Sequence, residues 1–242
     1  MKPSPIKRAF SILLPFLAIF QLSSCAARIN GSLAADGSAA LSVTMSLEPR
    51  MTALVRSLSA AAGGQADGPI LDGPAIAQSM SAAPFGNVSA QLRNTAPAAV
   101  EGTVRITNIE RFLASGDAGG FIGFEPGRGG GSCEIGINRE NGPVILGILS
   151  MEIADFLNAL MAPLATGEEL TKAEYLQLVG AIYSKGVSDE IAASRIRASI
   201  DFPGQITAVK GGTFSGRRAS FDISLLDLLV LETPLIYEVK WK

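Results

Sequence analysis

Residues 28–49 have the sequence RINGSLAADGSAALSVTMSLEP, which contains the pattern that decides the fold. On both sides of residues 35–37, apolar residues alternate with polar or small ones. These apolar residues are Ile29 and Leu33 before the block, and Leu41, Val43, Met45 and Leu47 after it. A period of two gives each strand one apolar face, and Asp-Gly is typical of a tight turn. The stretch predicts a β-hairpin with one buried face, ended by Pro49, which opens a helix.

The same alternation recurs at residues 88–106 and at residues 196–241. Turn residues at 203–204 and 210–212 separate the later strands, and the last strand places Trp241 on the buried face. Helical patterns lie between these regions. We therefore predict an α+β fold, in which an antiparallel β-sheet built from hairpins at both ends of the chain is packed on one face by helices.

Residues 143–162 are a strongly apolar stretch with one narrow polar stripe, Glu152, Asp155 and Asn158. Two acids in about 20 residues argue against a membrane-spanning helix. Two interpretations remain, a helix buried in the domain and a helix that lies against a membrane or a lipid. The acidic stripe favours burial, because interfacial helices usually carry Lys or Arg there. If an apolar ligand binds beside this helix, the residues expected to contact it are Ile148, Phe156 and Leu160.

The next helix carries a capping box, Thr171 and Glu174, and Gly186 is expected to end it. Adjacent acids at 168–169 and 189–190 fall at predicted helix starts, where carboxylates complement the helix dipole. Capping therefore explains both pairs better than acid–base catalysis does.

The composition excludes several classes of function. The chain has 242 residues, 20 Lys+Arg, 22 Asp+Glu and no His, and 48% of its residues are apolar. Without histidine, Ser-His-Asp and Cys-His nucleophiles and His-based metal sites are excluded. The nearly equal numbers of basic and acidic residues do not indicate a nucleic-acid-binding protein. We expect a protein that is not an enzyme and has neither a cofactor nor a metal.

A glycine-rich stretch at residues 115–132 contains eight Gly among 18 residues. A phosphate-binding loop would need a following Gly-Lys-Ser/Thr and a helix, and the sequence has neither. A hairpin tip or an edge strand is the better interpretation.

The first 25 residues have the organisation of an export signal. Lys2, Lys7 and Arg8 precede an apolar run at residues 9–20, which has the length of a signal-peptide core. The run leads into Leu-Ser-Ser-Cys at residues 22–25, which resembles the lipobox of bacterial lipoproteins. An ordinary signal peptide with a chance cysteine, or an uncleaved membrane anchor, are the alternatives.

The resemblance implies cleavage between Ser24 and Cys25, with a diacylglyceryl group on the Cys25 thiol and an acyl chain on the new amino terminus. Residues 1–24 would then be a cleaved signal, and residues 25–242 a single α+β envelope domain anchored to the membrane at its first residue. Ala26 stands where Asp would resemble an inner-membrane retention signal. The outer membrane is therefore favoured if the organism has one.

Removal of residues 1–24 takes away three positive charges and leaves 17 Lys+Arg against 22 Asp+Glu. A polybasic stretch that would supplement the anchor is missing from the sequence. Cys133 becomes the only free thiol, either a small buried apolar residue or one that pairs between molecules. The last strands also carry basic residues, which form either a small patch for phosphate headgroups or a solvated strand face. These residues are Arg195, Arg197, Lys210, Arg217 and Arg218.

The run Ile200-Asp-Phe-Pro-Gly-Gln-Ile206, followed by Gly211 and Gly212, is similar to the sheet of LppM-type bacterial lipoproteins. That resemblance implies an envelope domain with a lipid-binding cavity and no catalytic residue. We therefore expect a non-enzymatic, membrane-anchored module that binds an apolar or lipid ligand. The alternative is a structural or assembly lipoprotein that acts through protein–protein contacts.

Overall fold

A computed structural model of the chain describes residues 25–61, 68–82, 87–109, 122–127, 129–143 and 151–242, with the backbone alone for residues 25, 82 and 151–153. Within these ranges the chain forms eleven strands and seven helices. The strands are β1 (Cys25–Leu33), β2 (Ala39–Ser46), β3 (Val88–Ala96), β4 (Ala99–Ile106), β5 (Ile122–Gly127), β6 (Gly130–Ile137), β7 (Arg195–Asp201), β8 (Ile206–Lys210), β9 (Thr213–Ser215), β10 (Arg218–Ser224) and β11 (Leu235–Trp241). The helices are α1 (Pro49–Ala61), α2 (Gly73–Ala82), α3 (Met151–Ala159), α4 (Pro163–Thr166), α5 (Lys172–Ile182), α6 (Lys185–Ala193) and α7 (Leu225–Val230).

The strands form two sheets, and both ends of the chain contribute to them, so the predicted α+β class is confirmed. The larger sheet has the order β3-β4-β2-β1-β7-β10-β9, and the smaller one β5-β6-β11-β8. All pairs are antiparallel except β1 with β7. This parallel pair joins the two hairpin regions into one sheet. Neither it nor the second sheet was predicted.

Local turn chemistry explains the first hairpin. Gly37 has a φ of 78°, a conformation that favours glycine, and the Asp36 carboxylate accepts hydrogen bonds from the backbone and hydroxyl of Ser38. Both bonds lower the pKa of Asp36, and the bond from the Ser38 hydroxyl has the larger effect. The glycine-rich segment supplies β5 at the edge of the smaller sheet, as predicted, while residues 110–121 and 128 lie outside the described ranges.

Three buried clusters hold the fold together. The first lies among the helices and includes Met51, Leu160, Tyr175 and Ile191. The second lies between the two sheets and the third between α2 and strands β3 and β4. The helices are therefore not a single layer on one face, because most of them build a core of their own.

The helix limits differ from the predicted ones in two places. The capping box of Thr171 and Glu174 is present, but Gly186 does not end that helix. Helix α5 ends at Ile182, Ser184 caps the start of α6, and Gly186 lies inside α6. Gly186 does not have the left-handed conformation of a glycine that ends a helix. A Cβ there would lie 1.6 Å from Nη1 of the exposed Arg50 side chain.

The acidic pairs also differ from expectation. Glu168 and Glu169 lie in the loop before α5, and Asp189 and Glu190 lie inside α6 rather than at a helix start. Glu190 instead caps a different helix. Its carboxylate accepts hydrogen bonds from the backbone N–H groups of Arg50 (3.1 Å) and Met51 (2.8 Å) at the start of α1.

Candidate functional site

Cys25, the last residue of the sequence that resembles a lipobox, is the first residue of β1, so the folded sheet begins at the proposed anchor itself. In the parallel pair, Cys25 stands in register with Arg195, the first residue of β7. Residues 1–24, including Ser24, lie outside the described residues. Cleavage and acylation therefore stay predictions, but they would place this end of the sheet at the membrane.

The two sheets face each other with their apolar sides. At the end where β1 finishes, buried residues of both sheets pack together as one cluster, Leu33, Phe202, Ile206, Ala219, Val239 and Trp241. Within it the ring centroids of Trp241 and Phe202 are 5.2 Å apart. This end of the space between the sheets is closed by packed side chains.

The helical cluster closes the other end, where β1 begins. Ile191, which precedes β7, belongs to this cluster, and Leu47, which follows β2, packs against it. The N–H of Leu225, which follows β10, donates to the carbonyl oxygen of Ser194 (3.1 Å). The helices are thereby joined to the ends of strands β2, β7 and β10.

Between these two ends, nine inward-facing apolar residues are only half-buried. Among the described residues, none of the nine belongs to a buried cluster. We call them the central apolar zone. They are Ile29, Val43, Ile196, Ala198 and Ile223 on the larger sheet, and Ile135, Ile137, Leu235 and Tyr237 on the smaller.

Contacts at the border of the zone show that its two walls are opposed. Phe221 of the larger sheet packs edge-to-face against Tyr237 of the smaller one, with ring centroids 5.6 Å apart. Partial burial raises the pKa of the Tyr237 hydroxyl. One step further toward the helices, Ile223 and Leu235 therefore fall on opposite walls.

The helix predicted to contact a ligand serves the helical core. Leu160 is 1% exposed within that core, and Phe156 packs against it half-buried. Ile148 lies outside the described residues. Contact of these three residues with a ligand stays a prediction, whereas the central apolar zone is formed by strands that sequence reasoning did not select.

Cys133 faces the space between the sheets and packs half-buried against the inter-sheet cluster. Desolvation by burial raises the pKa of its thiol to about 11. A thiol in this state is a poor nucleophile at neutral pH. It fits the interpretation of a small apolar residue.

The outer face of the larger sheet is polar and carries six arginines and three carboxylates. The arginines are Arg28, Arg93, Arg105, Arg195, Arg197 and Arg218, and the carboxylates are Glu101, Asp201 and Asp222. Two open grooves, of about 460 and 640 Å³, lie on this face. Both are exposed to solvent, so neither is the closed cavity that an enclosed apolar ligand would occupy.

Ion pairs neutralise part of this face. Arg218 binds Asp201 through Nε and Nη2 at 2.8 and 2.6 Å, and this bond lowers the pKa of Asp201. Arg93 pairs with Glu101. Of the predicted basic patch, Arg195, Arg197 and Arg218 lie on this face. Lys210 lies on β8 of the smaller sheet, and Arg217 precedes β10 and donates to the carbonyl oxygen of Phe202 (2.9 Å), so the five residues do not form one patch.

No group of metal-ligating side chains occurs among the described residues. In the same part of the chain, the helices are too short or too polar to span a bilayer.

No protein-family model matches the sequence, and no curated protein matches it. Among solved structures, the chain is similar to the folded domain of Mycobacterium tuberculosis LppM, determined by NMR. The similarity has a TM-score of 0.39 and 9% sequence identity, and it covers 91% of each chain. This is a weak similarity of fold, and it transfers no functional residue.

Proposed function

We propose that this chain is a lipid-anchored bacterial envelope protein that binds an apolar or lipid ligand between its two sheets. The observation that supports the proposal is the central apolar zone. Protein interiors are normally packed to crystal-like density, yet here opposed apolar walls remain half-buried between two ends that are well packed. An apolar ligand would remove this residual exposure.

The ligand class follows from the walls. Seven of the nine side chains are branched aliphatic residues, and Tyr237 supplies the one hydroxyl. Such a surface favours hydrocarbon, because each buried CH₂ contributes about 0.8 kcal/mol. Affinity for fatty acids should therefore rise with chain length up to the length that the zone accommodates.

The first experiment is native mass spectrometry of residues 26–242, followed by extraction of whatever copurifies. A stoichiometric lipid supports ligand binding. A clean apo mass, together with no binding in a titration of C8 to C18 fatty acids, would overturn it. The alternative of an assembly lipoprotein that acts through protein contacts would then be favoured.

Matched variants locate the site. Ala198→Leu adds bulk inside the zone between the neighbours Ile29 and Phe221, whereas Ala40→Leu adds the same bulk on the exposed outer face. We expect the first variant to lose the ligand and the second to retain it. Equal ligand content in both variants would place the site elsewhere.

Anchoring is tested separately by labelling cells with an alkyne analogue of palmitate. We expect label on the native chain and none on Cys25→Ser. Absence of label from the native chain would refute acylation without affecting the ligand experiments.

A further inference from the structure

The parallel pairing of β1 with β7 assembles a basic cluster that the sequence does not contain as a stretch. Arg28 stands in register with Arg197, and Cys25 stands in register with Arg195. Arg28 and Arg197 lie on the outer face of the larger sheet, where Asp222 also lies. Three arginines from distant parts of the chain thus meet beside the proposed lipidation site.

The cluster has an excess of positive charge. Asp222 is the carboxylate among these arginines, with Oδ2 3.5 Å from Nε of Arg197 and Oδ1 3.9 Å from Nε of Arg195. Arg28 is exposed and makes no ion pair with any other residue that the structure describes. The chain without its leader is acidic overall, so this positive cluster stands out from the rest of the surface.

The distance from the anchor is short. Three residues of β-strand span about 10 Å, so the backbone of Arg28 lies within about 10 Å of Cys25. The polar layer on each side of a bilayer is about 5–7 Å thick, and an arginine side chain reaches a comparable distance. Since β1 begins at Cys25, there is no flexible linker that would carry the domain away from the surface.

We propose that the outer face of the larger sheet, at the end that carries Cys25, docks onto the anionic headgroups of the membrane that holds the anchor. This inference rests on the proposed anchoring at Cys25. The partner is an anionic lipid surface because the arginines lie on an open, exposed sheet face rather than around an enclosed cradle. Together the three arginines supply the positive charge beside the anchor that a polybasic stretch of sequence would otherwise provide.

The test uses the full chain, expressed with its leader, purified from membranes and reconstituted into vesicles. One set of vesicles is phosphatidylcholine alone and the other contains 30% phosphatidylglycerol. Thr44→Cys, in a Cys133→Ser background, carries an environment-sensitive fluorophore. Thr44 is exposed on the outer face and is the register neighbour of Arg28 on β2.

We expect the fluorophore to shift to the blue and to be quenched by lipid-borne quenchers in anionic vesicles only, with reversal at high salt. Each arginine near such a surface contributes about fivefold, or about 1 kcal/mol. Arg28→Gln with Arg197→Gln should therefore reduce the docked population by about 25-fold. Arg105→Gln is the matched control, an exposed arginine on the same face at the opposite end of the strands, and should have little effect.

A fluorophore that is equally exposed in both vesicles, or an equal loss in Arg105→Gln, would overturn the docking proposal. The mass of the purified chain shows separately whether it is acylated. If it is not, the anchoring proposal fails, and flotation with anionic vesicles still decides docking. Salt-sensitive flotation that the double variant loses supports docking, and absence of flotation overturns it.

Discussion

The carboxylate of Glu190 provides the sharpest test of how the helices are held together. It lies on α6 but accepts hydrogen bonds from the backbone N–H groups of Arg50 and Met51 on α1, with N···O distances of 3.1 and 2.8 Å. Helix α1 has no acidic residue in its first turn, and its first residue, Pro49, has no N–H. Glu190 therefore supplies hydrogen-bond acceptors and a negative charge to this helix terminus.

Replacement of this residue allows the contribution to be measured. Loss of a capping side chain costs about 0.5–2 kcal/mol, and loss of the charge at a helix terminus about 0.3–1 kcal/mol. We expect Glu190→Ala to lower the free energy of unfolding by about 2 kcal/mol. Glu190→Gln, which keeps one acceptor oxygen, should lower it by about 1 kcal/mol. For a domain of this size, 2 kcal/mol corresponds to a decrease in Tm of roughly 4–8 °C.

Urea denaturation followed by circular dichroism provides the free energy, and hydrogen exchange shows whether protection is lost first in α1. Asp189→Asn is the control, because it removes the neighbouring carboxylate, which pairs with exposed Lys185 at 2.7 Å. Such surface pairs contribute about 0.3–0.5 kcal/mol. If Glu190→Ala lost no more than Asp189→Asn, the interpretation of a cap between helices would be refuted.

Three further predictions follow from the packing and the titrating groups. Trp241→Ala removes the ring packed against Phe202 and Phe124 and should lower the free energy of unfolding by about 3–5 kcal/mol in the same urea assay. A loss below about 1 kcal/mol would contradict a closed inter-sheet core. Burial raises the pKa of the Cys133 thiol from 9.0 to about 11. At pH 8 the thiol should therefore react with a disulfide reagent roughly 100-fold more slowly in the folded protein than in the unfolded protein. Equal rates would contradict its burial. The pKa of Glu174 is lowered by its bonds to the backbone and hydroxyl of Thr171, so its stabilising effect should be present above pH 4.5 and disappear as the pH falls through the folded value. Unfolding curves of Glu174→Gln and the native chain should therefore differ at pH 7 and converge at pH 2, and a constant difference would count against the capping box.

Local features were predictable from the sequence because each depends on neighbouring residues. The turn at Asp36 and Gly37, the helix start at Pro49 and the capping box at Thr171 all occur where the sequence indicates them. Burial of Trp241, 7% exposed, followed from strand alternation alone.

Long-range pairing was not predictable in the same way. Alternation shows that β1 and β7 each have an apolar face, but it does not show that they are parallel neighbours. In the sequence Gly186 indicates a helix end, but it lies inside α6, next to Arg50, which is far away in the sequence.

The candidate site was missed for a related reason. Ile29 and Ala198 have the same alternating pattern as core strand residues, and only the packed structure shows that they remain half-buried. The apolar helix attracted attention because of its composition, yet its residue Leu160 lies in a filled core.

The position of β1 in the middle of the larger sheet also affects the order in which the chain can fold. Its hairpin partner, β2, follows directly, but its other neighbour, β7, begins only at Arg195. A chain that emerges from its amino terminus therefore carries an open strand edge until β7 is available. Open edges invite pairing with other chains, and distant pairings form slowly. Pairing of this open edge with other chains is therefore a route to misfolding that stays available until β7 has formed.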